Sequence, residues 1–338
     1  MKRIINFILS TLILCSGCLC LSFSVGAETY DSTFDKFEYT VLADGTAEIT
    51  YYDSLSAEYV IPETINNYTI TSIGKKAFME CHSLRKVTIP DTVTTINNQA
   101  FYGCDKLNSV VLGSSVETIG YKAFGDCPLL TNINLNNGLT SIGKDAFVRC
   151  SELDNITIPE TVNSIGISAF MDCVKLRNLT FENANVSIGN LAFSWCISLN
   201  SVTLPTNTKS IGENAFAACI NLSELTIESK NCVIAENADA IPKETVIYGY
   251  KGSTAESYAL KYNRTFSSLD ETIIKKGDVD SDGDVSIVDA TTIQRFVAKT
   301  IVLSDSAFVA GDVNSDGDIT ITDATNIQRF VAKIIEEF

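Results

Sequence analysis

Histidine occurs once in the 338 residues, at His82, and tryptophan once, at Trp195. A single imidazole leaves no second histidine for a His-based metal site and only one candidate for a nucleophile–base pair. Basic residues are scarce as well: 25 Lys and Arg stand against 41 Asp and Glu, for a formal net charge of −16, and no basic block interrupts the acidity. That balance argues against nucleic acid and anionic membrane surfaces as partners. Long apolar runs are missing except for Ile4 to Leu21, a stretch too broken by Ser, Gly and Asn to serve as a lasting membrane span. An apolar content of 45% is ample for a core and excludes a disordered polymer.

The N-terminus carries an address. Lys2 and Arg3 precede the apolar run, and Val25-Gly26-Ala27 ends it. Residues 1–27 read as a secretory signal peptide, cleaved between Ala27 and Glu28. A second reading stays open: Leu14-Cys15-Ser16-Gly17-Cys18 resembles a bacterial lipoprotein cleavage box, with Cys15 where that box usually has Leu. The protein is expected to be secreted and extracellular.

What the chain has in abundance is periodicity. Phe78, Phe101, Phe124, Phe147, Phe170, Phe193 and Phe216 recur in one strict register without insertion or deletion. Three residues after each stands a cysteine, from Cys81 to Cys219, and five before each an isoleucine, from Ile73 to Ile211. Such a register predicts a solenoid in which each unit buries its apolar residues against the next. In the unit Leu139 to Pro159, the Leu153-x-x-Ile156-x-Ile158 end alternates with period two and predicts a short strand. The Ala-Phe-x-x-Cys-x-x-Leu stretch, with three-to-four-residue spacing, predicts a short helical or turn segment on the return side. Gly follows the Ile in six units and Asn97 in the seventh, which predicts a positive φ there.

Eight cysteines remain after residue 27, and seven share one phase beside Ala and Phe. One column of parallel side chains does not satisfy disulfide torsions. They are therefore expected to be buried free thiols, with neither catalytic nor metal roles.

The Ile-Gly-x-x-Ala-Phe-x-x-Cys-x-x-Leu-x-x-Val-x-Ile-Pro pattern resembles the BspA-type leucine-rich repeats of secreted bacterial proteins. The resemblance implies an α/β leucine-rich-repeat solenoid of about seven 23-residue coils over 61–240, with adhesion or protein binding as its role. A β-hairpin cap is expected over 28–60, from the Asp44-Gly45 turn between two apolar runs. A second cap is expected over 241–269, where Ser253 and Glu256 form a capping box. Outward strand positions run from Lys86 and Thr88 to Glu224 and Thr226, mostly Ser, Thr and Asn. They suit a solvated sheet face whose Thr ladder fits strands; the alternative is a hydrogen-bonding surface for an unknown protein or glycan ligand. Trp195 stands where other units have Glu80, Gly103, Asp126, Arg149, Asp172 and Ala218. It is a possible ligand contact, or else lies over its neighbouring coil.

The stretch 277–338 carries a second repeat. Asp278, Asp280, Asp282, Asp284, Ser286 and Asp289 occupy positions 1, 3, 5, 7, 9 and 12 of a loop with Gly283 at position 6. Asp312, Asn314, Asp316, Asp318, Thr320 and Asp323 repeat the set at the same spacing around Gly317. This is the ligand spacing of an EF-hand calcium loop, whose position 7 ligates through its backbone carbonyl. Two calcium ions are expected. Position 12 is Asp rather than Glu, no helix is expected to enter either loop, and near-identical helices over 290–299 and 324–333 are expected to leave them.

Paired loops of this kind, each followed by such a helix, are similar to type I dockerins, over 277–338 after a linker at 270–276. The resemblance implies a small all-α calcium-binding domain of two EF-hand-like loop–helix units. It also implies a partner, the cohesin module of a cellulosome scaffoldin, through which the protein would be associated with the cell surface. By the family's pattern the cohesin contacts fall on Ile287, Val288, Gln294, Arg295 and Lys299, and on Ile321, Thr322, Gln328, Arg329 and Lys333. The family often has a Ser-Thr or Ala-Thr-like pair where Ile287-Val288 and Ile321-Thr322 stand here. Three functions compete: a non-catalytic subunit supporting polysaccharide degradation, a free or surface adhesin, and a polysaccharide-active enzyme. The enzyme is disfavoured because no stretch is left over to build a pocket around paired carboxylates, so the chain is read as no enzyme.

Overall fold

The computed structural model describes residues 28–338 apart from 32–34, 183 and 271–274. The signal-peptide segment and most of the linker lie outside the described residues. The chain divides into two compact units, Met1–Leu269 and Asp270–Phe338, each considered by itself below.

The first unit is a parallel solenoid with two columns of short strands. One column comprises Glu58–Val60, Lys86–Thr88, Ser109–Val111, Asn132–Ile133, Asn155–Ile158, Asn178–Phe181, Ser201–Leu204, Glu224–Ile227, Val246–Gly249 and Phe266–Ser268. These are the period-two segments, and their inward residues are buried while the partners between them face solvent. The second column is made of Ser/Thr-Ile doublets, such as Ser141–Ile142 on Ser164–Ile165, paired in parallel one repeat apart. Two residues are too few to display a period, so the doublets have no strand signature in the sequence.

Three expectations are corrected. The coil runs about ten turns rather than about seven, because both expected caps join the strand columns. Val246–Gly249 pairs in parallel with Glu224–Ile227, and Phe266–Ser268 with Val246–Gly249. At the other end Glu58–Val60 pairs with Lys86–Thr88. The hairpin of Asp35–Val41 and Ala47–Ser54 forms as expected, and its second strand templates Tyr68–Ile73 in parallel.

The return side, second, takes the turn rather than the helical alternative in every unit, so the expected α/β solenoid is a β-solenoid. Backbone N–H groups there bond the next coil: Phe124 N–H donates to Ala146 O at 2.8 Å and Phe147 N–H to Ala169 O at 2.7 Å. An α-helix would spend those donors internally, whereas the stack uses them to join coils.

Third, the repeated Gly does not turn the chain. Positive φ falls three residues after the Ile, at Lys76, Gln99, Lys122, Asp145, Ser168, Leu191 and Asn214, and again in the column of Glu80, Gly103, Asp126, Arg149, Asp172, Trp195 and Ala218. The Gly is required by close approach. A Cβ on Gly166 would meet the carbonyl carbon of Gly143 at 2.5 Å, and one on Gly189 would meet that of Gly166 at 2.8 Å. Gly166→Ala is therefore expected to cost about 1–3 kcal/mol, the usual scale of overpacking. A urea midpoint equal to that of the parent would overturn the close-packing assignment.

The interior is a set of ladders. Successive Phe rings from Phe78 to Phe216 stack with centroids 4.8–5.5 Å apart and planes within 20°. Tyr52 of the hairpin seats on Phe78 at 4.7 Å and begins the column. Such offset stacks add to the area term. The thiols form the adjacent column, free as expected, with only Cys81 at the N-terminal end half-exposed. Each interior S–H donates to the Phe carbonyl of the previous coil, as Cys150 does to Phe124 O at 3.2 Å and Cys173 to Phe147 O at 3.3 Å. The C-terminal cap closes with α1 (Thr254–Lys261), whose N-cap Ser253 accepts from Glu256 N–H. Glu256 itself accepts from Gly252 N–H at 2.6 Å rather than from Ser253, so the expected box forms shifted by one residue.

The second unit packs α2 (Ile287–Val297) against α4 (Ile321–Val331), with the short α3 (Asp305–Gly311) between them in sequence. Its core repeats the same residues from each half: Val279 with Val313, Ala290 with Ala324, Ile293 with Ile327. Helix α3 corrects the expectation that no helix precedes either loop, since Val309, Ala310 and Gly311 are its last turn. Its N-cap is Ser304, which accepts from Ala307 N–H at 3.2 Å.

Candidate metal loops and docking face

Each loop of the second unit is wound by its own carboxylates. In the first, Asp278 accepts from Asp282 N–H at 3.1 Å and from Gly283 N–H at 3.0 Å, and Asp282 accepts from Asp284 N–H at 2.9 Å. In the second, Asp312 accepts from Asp316 N–H at 3.0 Å and Gly317 N–H at 2.9 Å. Gly283 at φ +96 and Gly317 at φ +89 make the turn that a side chain would oppose. The result gathers acids. Carboxylate oxygens of Asp278, Asp280 and Asp282 lie within 4.8 Å of one another.

The electrostatics follow from that crowding. Partial burial in the loop pushes the Asp280 carboxyl above its ordinary value, and the charges of Asp289, Asp282 and Asp278 push the same way. Like charges so placed ask for a cation.

Position 12 ties each loop to its helix. Asp289 is fully buried. One of its oxygens accepts from Val279 N–H at 2.6 Å and Asp280 N–H at 3.1 Å, the other from Ser286 N–H at 2.8 Å. Asp323, equally buried, accepts from Thr320 N–H at 2.9 Å through Oδ2, while its Oδ1 has no hydrogen-bond partner. A buried carboxylate oxygen without a donor is costly, and a metal ion is the partner its chemistry fits. Ser286 and Thr320 serve as N-caps, accepting from Val288 N–H at 3.0 Å and Thr322 N–H at 3.1 Å. The N–H of Asp318 donates to Asp316 at 3.0 Å. Asn314 turns its amide to Asp316 at 2.7 Å, leaving its carbonyl oxygen to accept from Asp316 N–H.

The residues expected to face a partner are displayed in two equivalent sets. Ile287, Val288 and Ile321 are each slightly more than half exposed. Thr322, Arg295 and Arg329 are exposed too, and Gln294 and Gln328 are half-buried. Helices α2 and α4 start three residues earlier than expected, because the capping residue is position 9, so positions 10 and 11 are their first turn. They also end earlier: Lys299 and Lys333 lie beyond the helices in left-handed turns, at φ 59 and 56. Their N–H groups donate to Phe296 O and Phe330 O, closing both C-termini in the same way.

In the first unit Trp195 is 52% exposed. His82 is exposed on the turn side, 3.1 Å from Asp105 of the next coil. Among the described residues no helix is long and apolar enough to cross a membrane.

Taken by class, the chain joins a parallel β-solenoid of stacked, in-register turns to a two-loop acidic module of calcium-binding type. It belongs to the BspA-type leucine-rich repeat family, whose model matches residues 71–196 and 163–240, and it carries a type I dockerin domain at 276–332. Type I dockerins bind calcium, and neither family is of a catalytic type. Among solved structures, a leucine-rich repeat protein from Bacteroides ovatus is similar at 26% identity and a TM-score of 0.52, over 71% of this chain and 77% of that one. The leucine-rich repeat protein TpLRR of T. pallidum is similar at 25% identity and a TM-score of 0.51, over 70% and 97%. Among curated proteins none matches the chain.

Proposed function

We propose that the protein is a secreted, non-catalytic subunit that docks through its calcium-loaded dockerin to a cohesin on a scaffoldin, while the repeat solenoid presents a binding surface. Two ions complete the loops, one held by the Asp278 to Asp289 set and one by the Asp312 to Asp323 set. Calcium supplies the charge that lets these acids converge; the chain supplies the loop and the helix that follows it. The observation that carries the docking half is the duplication itself. Ile287, Val288 and Arg295 on one helix have counterparts in Ile321, Thr322 and Arg329 on the other, at the same helical positions and all exposed. A partner can therefore meet either copy. An adhesin that uses its dockerin for a different receptor is the second reading, favoured only by the strand face of mostly Ser, Thr and Asn.

The test is cohesin capture by the full chain. Ile287→Asp with Val288→Asp is expected to leave binding within several-fold of the parent, as is Ile321→Asp with Thr322→Asp. All four together are expected to lose at least about 100-fold, the scale of two desolvated hot spots. If one pair alone abolishes capture, the docking face is single. If the fourfold variant binds as the parent does, docking lies elsewhere.

A further inference from the structure

The left-handed column of Glu80, Gly103, Asp126, Arg149, Asp172 and Ala218 suits small or polar residues, yet one coil places the chain's sole tryptophan there, at φ 63. Bulky side chains are uncommon in that region. The backbone is held in it by inter-coil bonds, with Trp195 N–H donating to Ala217 O at 2.9 Å. The side chain gains little from the protein in return. The indole is 52% exposed, and among the described residues no ring or cation rests on it.

The surroundings make a shelf. The following coil puts only methyl side chains, those of Ala217 and Ala218, into the same concavity, and beyond them the repeat ends. Phe216 N–H reaches Ala240 O, two positions further along than the spacing from Phe193 N–H to Ala215 O would place it. The short 3₁₀ turn Ala238–Ala240 takes the place of the next coil's turn. The concavity so formed holds about 450 Å³ and is lined by Trp195, Asn214, Ala217, Ala218, Asp239 and Lys243. Asn214, Asp239 and Lys243 have no side-chain partner of their own among the described residues.

We infer that this shelf is a carbohydrate-binding site that takes a pyranose of a neutral glycan, with Trp195 as its platform. A pyranose ring offers an apolar C–H face edged by hydroxyls. The indole matches the face, the Asp239 carboxylate accepts from hydroxyls, and the Lys243 ammonium and the Asn214 amide donate to them. A protein partner fits less well. The ring is the one aromatic in the lining, with Leu191 and Pro242 beside it, the volume lies at the small end of ligand pockets, and three uncommitted polar groups would need matching within it. The proposal deepens the reading of the solenoid as a binding surface and is independent of cohesin docking, which uses the other unit.

A single tryptophan makes the full chain its own probe. Titration with cellohexaose, xylohexaose and mannohexaose is expected to shift the emission to the blue and to protect it from acrylamide, saturably, for at least one sugar. Trp195→Ala is expected to weaken that sugar by about 30-fold in calorimetry. Trp195→Phe is expected to restore part of the loss, and cohesin capture should not change in either variant. Unaltered emission and quenching with all three sugars overturns the site, as does calorimetric binding that survives Trp195→Ala. An emission change produced by an extracellular protein but by none of the sugars assigns the shelf to protein recognition and overturns the glycan. Loss of cohesin capture in the parent would sink the docking reading and leave the sugar titration standing.

Discussion

Raising the pH from 8 to 10 is expected to remove about 9 kcal/mol from the stability of the repeat unit, about 1.3 kcal/mol for each of its seven buried thiols. Burial pushes Cys150, Cys173 and Cys196 well above the ordinary thiol value, and Cys219 and Cys232 up to about 12. Cys127 rises for the same reason, and Cys104 chiefly through its hydrogen bond with Cys127. The sign follows from which state holds the protons. Unfolded thiols ionise from about 9, whereas the native column keeps its protons, so stability is full below about pH 9 and falls as the pH climbs toward the native values. Urea melts at the two pH values in excess reductant would measure it. Cys127→Ala with Cys150→Ala and Cys173→Ala provides the control, since lysines and tyrosines titrate equally in both proteins. The triple variant is expected to lose about 4 kcal/mol less over the interval than the parent. Equal losses would mean that the thiols ionise in the folded protein. No single coil can absorb the effect, because each turn shares its thiol bond with the next and stability in a stack is a sum over neighbours.

How much of this was legible beforehand depends on the length of the signal. The strict repeat register named the Phe and Cys columns, since a residue repeated seven times in one phase can only be one face of a stack. The Ser/Thr-Ile doublets carried no such signal: a two-residue strand is made by its neighbours above and below. The Gly column was legible in place but not in cause. Tolerance of positive φ and absence of a Cβ are properties of the same residue, and only the 2.5–2.8 Å approach of one coil's backbone to the next separates them. The caps were recognised as structured but not as turns of the coil, because Val246–Gly249 and Phe266–Ser268 keep the strand pairing while abandoning the Phe-x-x-Cys signature. At the loops, spacing located the acids that gather in the first turn, while the helix starts at Ile287 and Ile321 needed the capping roles of Ser286 and Thr320. Trp195 was visible as a break in phase. Asn214 beside it lies in the repeat, but Asp239 and Lys243 came from the irregular turn at 238–243, which no period could place.

Chelating calcium is expected to unfold the dockerin unit and leave the solenoid intact. The unit's described core is seven small and branched residues, with no aromatic among the fully buried ones. That is too little to hold the stretch from Asp270 to Phe338 without a staple. Its acids meanwhile repel one another across the first loop. A ligand at a thousand times its dissociation constant adds about 4 kcal/mol per site, so two sites supply about 8 kcal/mol, the scale of a whole domain's stability. In excess chelator, limited proteolysis of the full chain is expected to cut within residues 270–338 and spare 58–268, and cohesin capture is expected to disappear. The two sites should be separable. Asp278→Asn weakens the first loop, where the carboxylates of positions 1, 3 and 5 converge. Asp323→Asn puts an amide at the buried position 12, where an oxygen now lacks a donor. Each variant is expected to bind one ion by native mass spectrometry where the parent binds two, and to need more calcium for the same protease resistance. A parent that resists proteolysis equally with and without chelator would show that the helices hold by packing alone. The unpartnered Asp323 oxygen would then need a partner other than a metal ion.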